Sequence, residues 1–116
     1  MAGTQRYYFT IDDLSQARGP VAELSFNGAS QDAFAAAQQS ALREPALFER
    51  WRAMQDDPDG VDPALGATDA AATVTAKQSD LRSDVVVTTS LPHAILRHRL
   101  NLLAGAHWTL RDVKAA

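Results

Sequence analysis

The chain contains no cysteine, which excludes a disulfide framework and thiolate chemistry with metals or redox partners. Long apolar runs are missing as well. No stretch approaches the roughly 18 apolar residues of a membrane span. The opening Met1-Ala2-Gly3-Thr4-Gln5-Arg6 leads into no uninterrupted apolar segment of a secretory signal. A soluble, cytoplasmic protein without membrane contact is therefore expected. Lysine is scarce, at two residues against nine arginines, and the formal net charge is only -3. A mildly acidic balance argues against bulk electrostatic binding to nucleic acid or anionic lipid. Nucleophile elbow, phosphate loop, dinucleotide glycine motif and paired functional carboxylates are all absent. No catalytic residue and no cofactor are expected.

What remains is an ordinary globular composition: 116 residues, 46% hydrophobic and 22% charged. That length fits one domain, residues 1–116, and buries about two-thirds of the unfolded surface. Alanine occupies 22 positions. With the arginine bias, this reads as a GC-rich, bacterial coding sequence.

Residues 6–11 alternate, with Tyr7, Phe9 and Ile11 on one face and Arg6, Tyr8 and Thr10 on the other, which predicts a half-buried strand. Residues 12–20 supply turn chemistry, closed by Gly19-Pro20. Residues 21–26 alternate again, with Ala22, Leu24 and Phe26 on one face, so a hairpin with a long loop is expected. Asn27-Gly28-Ala29 breaks that strand, and Ser30 stands where an N-cap would, with Asp32 in the first turn. Phe34, Ala37, Ala41 and Leu42 then follow at helical spacing. Pro45 disfavours helical geometry at Glu44 yet suits a new first turn. Leu47, Phe48, Trp51 and Met54 make a second apolar stripe, so two helices are predicted, about 30–44 and 45–55.

Residues 56–71 form a long acidic connection carrying Asp56, Asp57, Asp59, Asp62 and Asp69. Such a loop is uncommon in a compact domain, and mobility is expected. A calcium loop does not fit. Aligning Asp57, Asp59 and Gly60 on the EF-hand pattern puts Gln55 first and Gly66 twelfth, where the bidentate glutamate belongs. Beyond it, 72–77 alternates weakly, 79–84 is a polar turn, and 85–89 is the strongest strand signal, read as central. Ser90 is placed to cap a helix running from Leu91 to Ala104, ended by Gly105. Residues 107–113 form a last strand with Trp108 and Leu110 facing one way. The order β-β-α-α-loop-β-β-α-β implies an α+β fold: a two-layer, mainly antiparallel sheet with helices packed on one face.

His93, His98 and His107 lack the spacing of metal ligands; no metal is expected, and solvent-facing rings are. On the helix that follows Ser90, Leu102, Ile95, Leu103, Leu96 and Leu100 lie within about 180° of Leu91, with Arg99 in mid-arc at about 80°. A charge there must snorkel, pair with a carboxylate or meet an anion. His93 and Arg97, four apart, share an exposed face suited to an acidic partner. Arg6, Tyr8, Lys77, His107 and Arg111 fall opposite the apolar strand positions and would make a mixed basic and aromatic platform. Single-stranded RNA readers use such sheets, but the RNP1 pattern is missing and the charge is acidic. Phe48 and Trp51, beside the acidic loop, could supply an aromatic interface patch.

The reading that follows is a non-catalytic protein-interaction or assembly module that binds a protein partner or itself. The competing reading is a small enzyme or anionic-ligand-binding protein using Arg99 with His93 or His107.

Overall fold

The structure, a computed structural model, describes residues 3–28, 30–80 and 82–116. Met1 and Ala2 of the N-terminus, Ala29 of the 27–29 break and Leu81 of the 79–84 turn lie outside the described residues. The regular elements are β1 (Gln5–Ile11), α1 (Gln31–Arg43), α2 (Ala46–Ala53), β2 (Thr73–Ser79), β3 (Arg82–Thr89), α3 (His93–Ala104) and β4 (Thr109–Ala115). Short 3-10 turns occupy Leu14–Gln16, Pro58–Gly60 and Pro63–Gly66. The four strands form an antiparallel sheet in the order β2-β3-β1-β4, and the fold is α+β. Strands β3 and β4 run the same way, each antiparallel to β1 between them, so β3-α3-β4 is a split crossover.

Period-two patterning sorts the sheet faces. Tyr7, Phe9 and Ile11 of β1 pair with Val87, Val85 and Ser83 of β3, and these side chains turn toward the helices. There they meet Phe34 and Leu42 of α1 and Ile95, Leu96, Leu100 and Leu103 of α3. Strand β3 lies inside the sheet, as its valines imply. The opposite face carries Arg6, Tyr8, Thr10, Lys77, Asp84 and Val86 and has no described helix over it.

Local signals hold at the helix boundaries. The Ser30 hydroxyl accepts from the Ala33 amide at 3.1 Å, satisfying one of the orphan donors of the first turn. Glu44 is extended and separates α1 from α2, as Pro45 requires. Gly105 ends α3 at φ +61°, a conformation that glycine adopts without strain. Asp80 turns the β2–β3 hairpin at φ 56°, the left-handed region that aspartate tolerates better than most residues.

Two expectations are corrected. Residues 21–26 form no strand and no hairpin with β1; β1 pairs with β3 and β4 instead. Leu24 and Phe26 are buried all the same. The segment turns on itself through Leu24 N to Val21 O and sends the Phe26 amide to Leu103 O at 3.0 Å. Gly19 passes so close that a Cβ there would sit 2.0 Å from Leu102 O. The Phe26 amide thus satisfies a carbonyl at the end of α3, which a helix leaves orphaned, and the stretch is folded on itself rather than extended for a ladder. Ser90, the second correction, caps nothing. Helix α3 begins after Pro92, and the Ser90 amide donates to Asp69 Oδ2 at 3.0 Å.

Candidate functional site

The side chains singled out by sequence separate into three places. The first lies along the outer side of α3. His93, Arg97 and Asn101 follow one another at four-residue intervals and face β4 across an open groove of about 340 Å³ lined also by Ala106, Trp108 and Leu110. Its parts are held firmly. The His93 ring stacks on Tyr7 at 5.9 Å between centroids. Tyr7 is fixed in turn by its hydroxyl, which donates to Gln5 Oε1 at 3.0 Å and lies 3.4 Å from Leu91 O; burial pushes that hydroxyl's pKa upward. Trp108 packs edge-on against Phe9 at 6.1 Å and donates its Nε1 hydrogen to Asn101 Oδ1 at 3.0 Å. Arg97 forms no salt bridge among the described residues. The groove has an apolar and aromatic floor, one free guanidinium and no carboxylate. That is the composition of a binding surface, and no acid–base pair is assembled in it. Asn101 is the member that the sequence reading missed, although it sits one further helical repeat from His93 and Arg97.

The second place is the interior beneath α2. Arg99 is fully buried, and it meets none of the three fates expected of it. Its guanidinium donates to Ala41 O at 2.8 Å, Leu65 O at 2.7 Å and Ala67 O at 2.8 Å, and lies 5.6 Å from the Phe48 ring centroid. The charge is held by backbone dipoles and a ring face; burial lowers its pKa, but a guanidinium stays protonated in proteins. Arg99 thereby ties the last turn of α1 to the acidic connection and opens onto no groove. Phe48 is buried rather than offered to a partner. A Cβ on Gly66 would come within 2.7 Å of its ring. Trp51 is half-buried and closes on His98 at 4.4 Å, so of that apolar stripe Met54 alone is well exposed, at 45%.

His98 is the second missed residue, and it does not face solvent. Both its ring nitrogens are buried without a hydrogen-bond partner. Burial, and then the neighbouring Arg99 charge, lower its pKa. The signal was available, since His98 lies about 20° from Leu91 on the helical wheel, at the border of the apolar arc.

The third place is the open sheet face. Arg6, Tyr8, Lys77 and Arg111 do share it, but His107 does not. That residue is exposed in the turn before β4, beside a smaller pocket of about 230 Å³ shared with Asp12, Asp13 and Trp108. The basic groups are interleaved with acids. Lys77 pairs across the ladder with Asp84, and Tyr8 with Asp112. Lys114 lies 5.5 Å from the Tyr8 centroid, and Arg111 Nε donates to Thr10 Oγ1 at 3.1 Å. Arg6, Lys77, Arg111 and Lys114 outnumber Asp84 and Asp112, so the face keeps a basic excess around Tyr8 that the two acids offset only in part.

No group of three or more side chains among the described residues could hold a metal ion. No described helix is long and apolar enough to cross a membrane. Comparison with known proteins finds no matching family model, no matching curated protein and no matching solved structure.

Proposed function

We propose that this protein is a non-catalytic interaction or assembly module that binds a protein partner, or itself, along the flank formed by α3 and β4. One observation carries the reading. Past Leu110 the helix side of β4 has no described helix over it: Val113 is 40% exposed, beside the groove of Trp108, Leu110, His93 and Arg97. Apolar groups left open next to fixed aromatic and basic ones mark a surface built for a partner. Against the enzyme reading stands Arg99, whose hydrogen bonds are spent on backbone carbonyls away from His93 and His107. A bacterial cytoplasm is the proposed setting, on composition alone.

The test is a concentration series of the full chain followed by amide shifts and sedimentation, with capture from a lysate of the source organism alongside. Shifts clustering at residues 93, 97 and 108–115, and weaker association of Trp108→Ala, are expected. A chain that stays monomeric, shows no shifts, and captures nothing that Trp108→Ala fails to capture would end the reading.

A further inference from the structure

The outward backbone groups of the two sheet edges are held differently. At the start of β2 two of them are taken by α1. Gln39 Oε1 accepts from the Val74 amide at 3.1 Å, and Arg43 Nε donates to Ala72 O at 2.6 Å. At β4 nothing from another element among the described residues bonds to them. The Ala116 amide points inward, to Thr4 O at 3.1 Å. The Val113 amide points outward and meets only the carboxylate beside it, Asp112 Oδ1, at 2.8 Å. By alternation, Val113 and Ala115 present the free edge.

We propose that β4 pairs antiparallel with β4 of a second copy, its two-fold axis at Val113, joining two four-stranded sheets into one of eight strands. The inference deepens the interaction role proposed above and rests on it. Charge selects both the partner and the register. Residues opposed in an antiparallel pair share a sheet face. An axis at Asp112 would oppose two aspartates, an axis at Lys114 two lysines, and an axis at Arg111 two arginines. An axis at Val113 sets Asp112 against Lys114 of the other copy, twice by symmetry, and Val113 against Val113 on the helix side.

At present these groups engage only their own strand and the Tyr8 ring. Asp112 and Lys114 meet within one strand at 3.7 Å, with side chains 53% and 62% exposed, and Val113 is one of two large hydrophobic residues well exposed among those described. Pairing would exchange the Asp112 carboxylate on the Val113 amide for the Val113 carbonyl of the second copy. The released carboxylate would then be free for Lys114 of that copy. An isologous contact of this kind closes at two copies, so it consumes the β4 edge without seeding a fibre. Edge addition is also a general mode of strand recognition; self-complementary charge is what commits this edge to its own sequence.

The experiment uses the full chain. Sedimentation at tens of micromolar should show a dimer. Asp112→Lys should weaken it by roughly tenfold, since two symmetry-related pairs change at once, and the double variant Asp112→Lys/Lys114→Asp should restore it. Both positions are exposed, and an unfolding midpoint unchanged at a concentration where all chains are monomeric confirms that each variant is folded. Since the chain has no cysteine, Val113→Cys should cross-link on oxidation, whereas Ala115→Cys, about 14 Å from its symmetry mate in this register, should not. A dimer indifferent to Asp112→Lys, or one not rescued by the swap, overturns the β4 register but leaves the interaction role standing. A chain that stays monomeric yet binds another protein's extended segment at β4 does the same. A monomer with no partner at all sinks both.

Discussion

The β2 and β4 flanks of the sheet are built from strands of equal length, seven residues each, yet they are stabilised in different ways. Along β2, α1 lies over the strand, Val74 is buried and side chains of α1 hold the Val74 amide and the Ala72 carbonyl at its start. The connection leading into β2 is stitched down by Arg99 and by Asp69, which accepts from Thr89 Oγ1 at 2.7 Å and from the Ser90 amide. Along β4 there is little of this. Leu110 and Trp108 reach the core from its start, and the rest of the strand is exposed. Covering an edge takes polar groups out of water, which is stabilising only when each finds a partner. The β2 flank has done this at its start, with the Val74 amide and the Ala72 carbonyl. The β4 flank has not, and is the one we propose for association.

The most severe test of that contrast is Arg99→Met. Apolar volume is kept, but three carbonyls lose their donor, and each buried acceptor left unpaired costs roughly 1–3 kcal/mol. Denaturant unfolding should show a large loss, whereas Lys114→Ala on β4 should stay within about 0.5 kcal/mol of the parent. Equal midpoints for the two variants would mean the β2 flank is not held by its buried ties. Next in size is Asp69→Ala, which removes the acceptor of the Ser90 and Ala71 amides and of Thr89. A loss of about 1–2 kcal/mol is expected, typical of a side chain that caps several backbone donors. It should fall on the β2 side, with hydrogen exchange rising near 69–74 before it rises in β4. Exchange rising first in β4 would break the contrast.

The two flanks also differ in how much of them could be read from sequence. Signals that act within a few residues were legible: the Ser30 cap, the break at Pro45, the glycine ending α3 and the valines of β3. The tied elements were not, because their partners are distant in sequence and chemically silent. Residues 21–26 alternate like a strand, but what they satisfy is the end of α3, with Ser25 Oγ 3.3 Å from Leu103 O and 78 positions away. The helical wheel put Arg99 inside, yet residue types say nothing of bare carbonyls at Ala41, Leu65 and Ala67, so a carboxylate, an anion or water were the partners weighed. On the α3–β4 side, by contrast, the stripe of His93 and Arg97 was visible, and so was Trp108 with Leu110. Their meeting in one groove required only that α3 lie beside the strand that follows it.

Acid should dismantle the tied flank in two steps. The pKa of His98 is lowered in the fold, from its ordinary 6.5, by burial and then by Arg99, so below pH 6.5 the unfolded chain takes up the proton first. Its contribution is fully present above that pH and is lost as pH falls toward the lowered folded value. Asp69 is also lowered, from 3.8, chiefly by the Ser90 amide, with Thr89 and Ala71 adding to it. Its contribution is present above pH 3.8 and fades as pH falls through the folded value. Stability measured against pH should therefore decline gently below 6.5 and again below 3.8. His98→Phe should remove the upper decline alone, and Asp69→Asn the lower. A single decline untouched by either variant would place the acid sensitivity elsewhere.

The smallest effect concerns motion within the acidic connection. As a sequence, 56–71 is one uniform stretch of aspartate, proline and alanine for which mobility is expected throughout. Its ties are not uniform. The first part, around Asp57 to Val61, is held by Arg52, which donates to Pro58 O at 2.9 Å and lies 3.6 Å from a fully exposed Asp59 carboxylate, a pairing that water screens heavily. The second part carries the two carbonyls bound by buried Arg99 and the Asp69 amide, which donates to Leu42 O at 2.9 Å. Ordering a residue costs roughly 1–2 kcal/mol of backbone entropy, and only the second part has buried partners to offset it. Backbone order parameters should fall toward about 0.6 over 57–62 and return to about 0.85 by 65–69. Shortening the connection within 57–61 should then leave the fold intact, since closure entropy varies slowly with length, while deleting 65–67 should cost as much as losing Arg99. Uniformly rigid or uniformly mobile values from 57 to 70 would erase the division, as would a deletion of 57–61 that abolished folding.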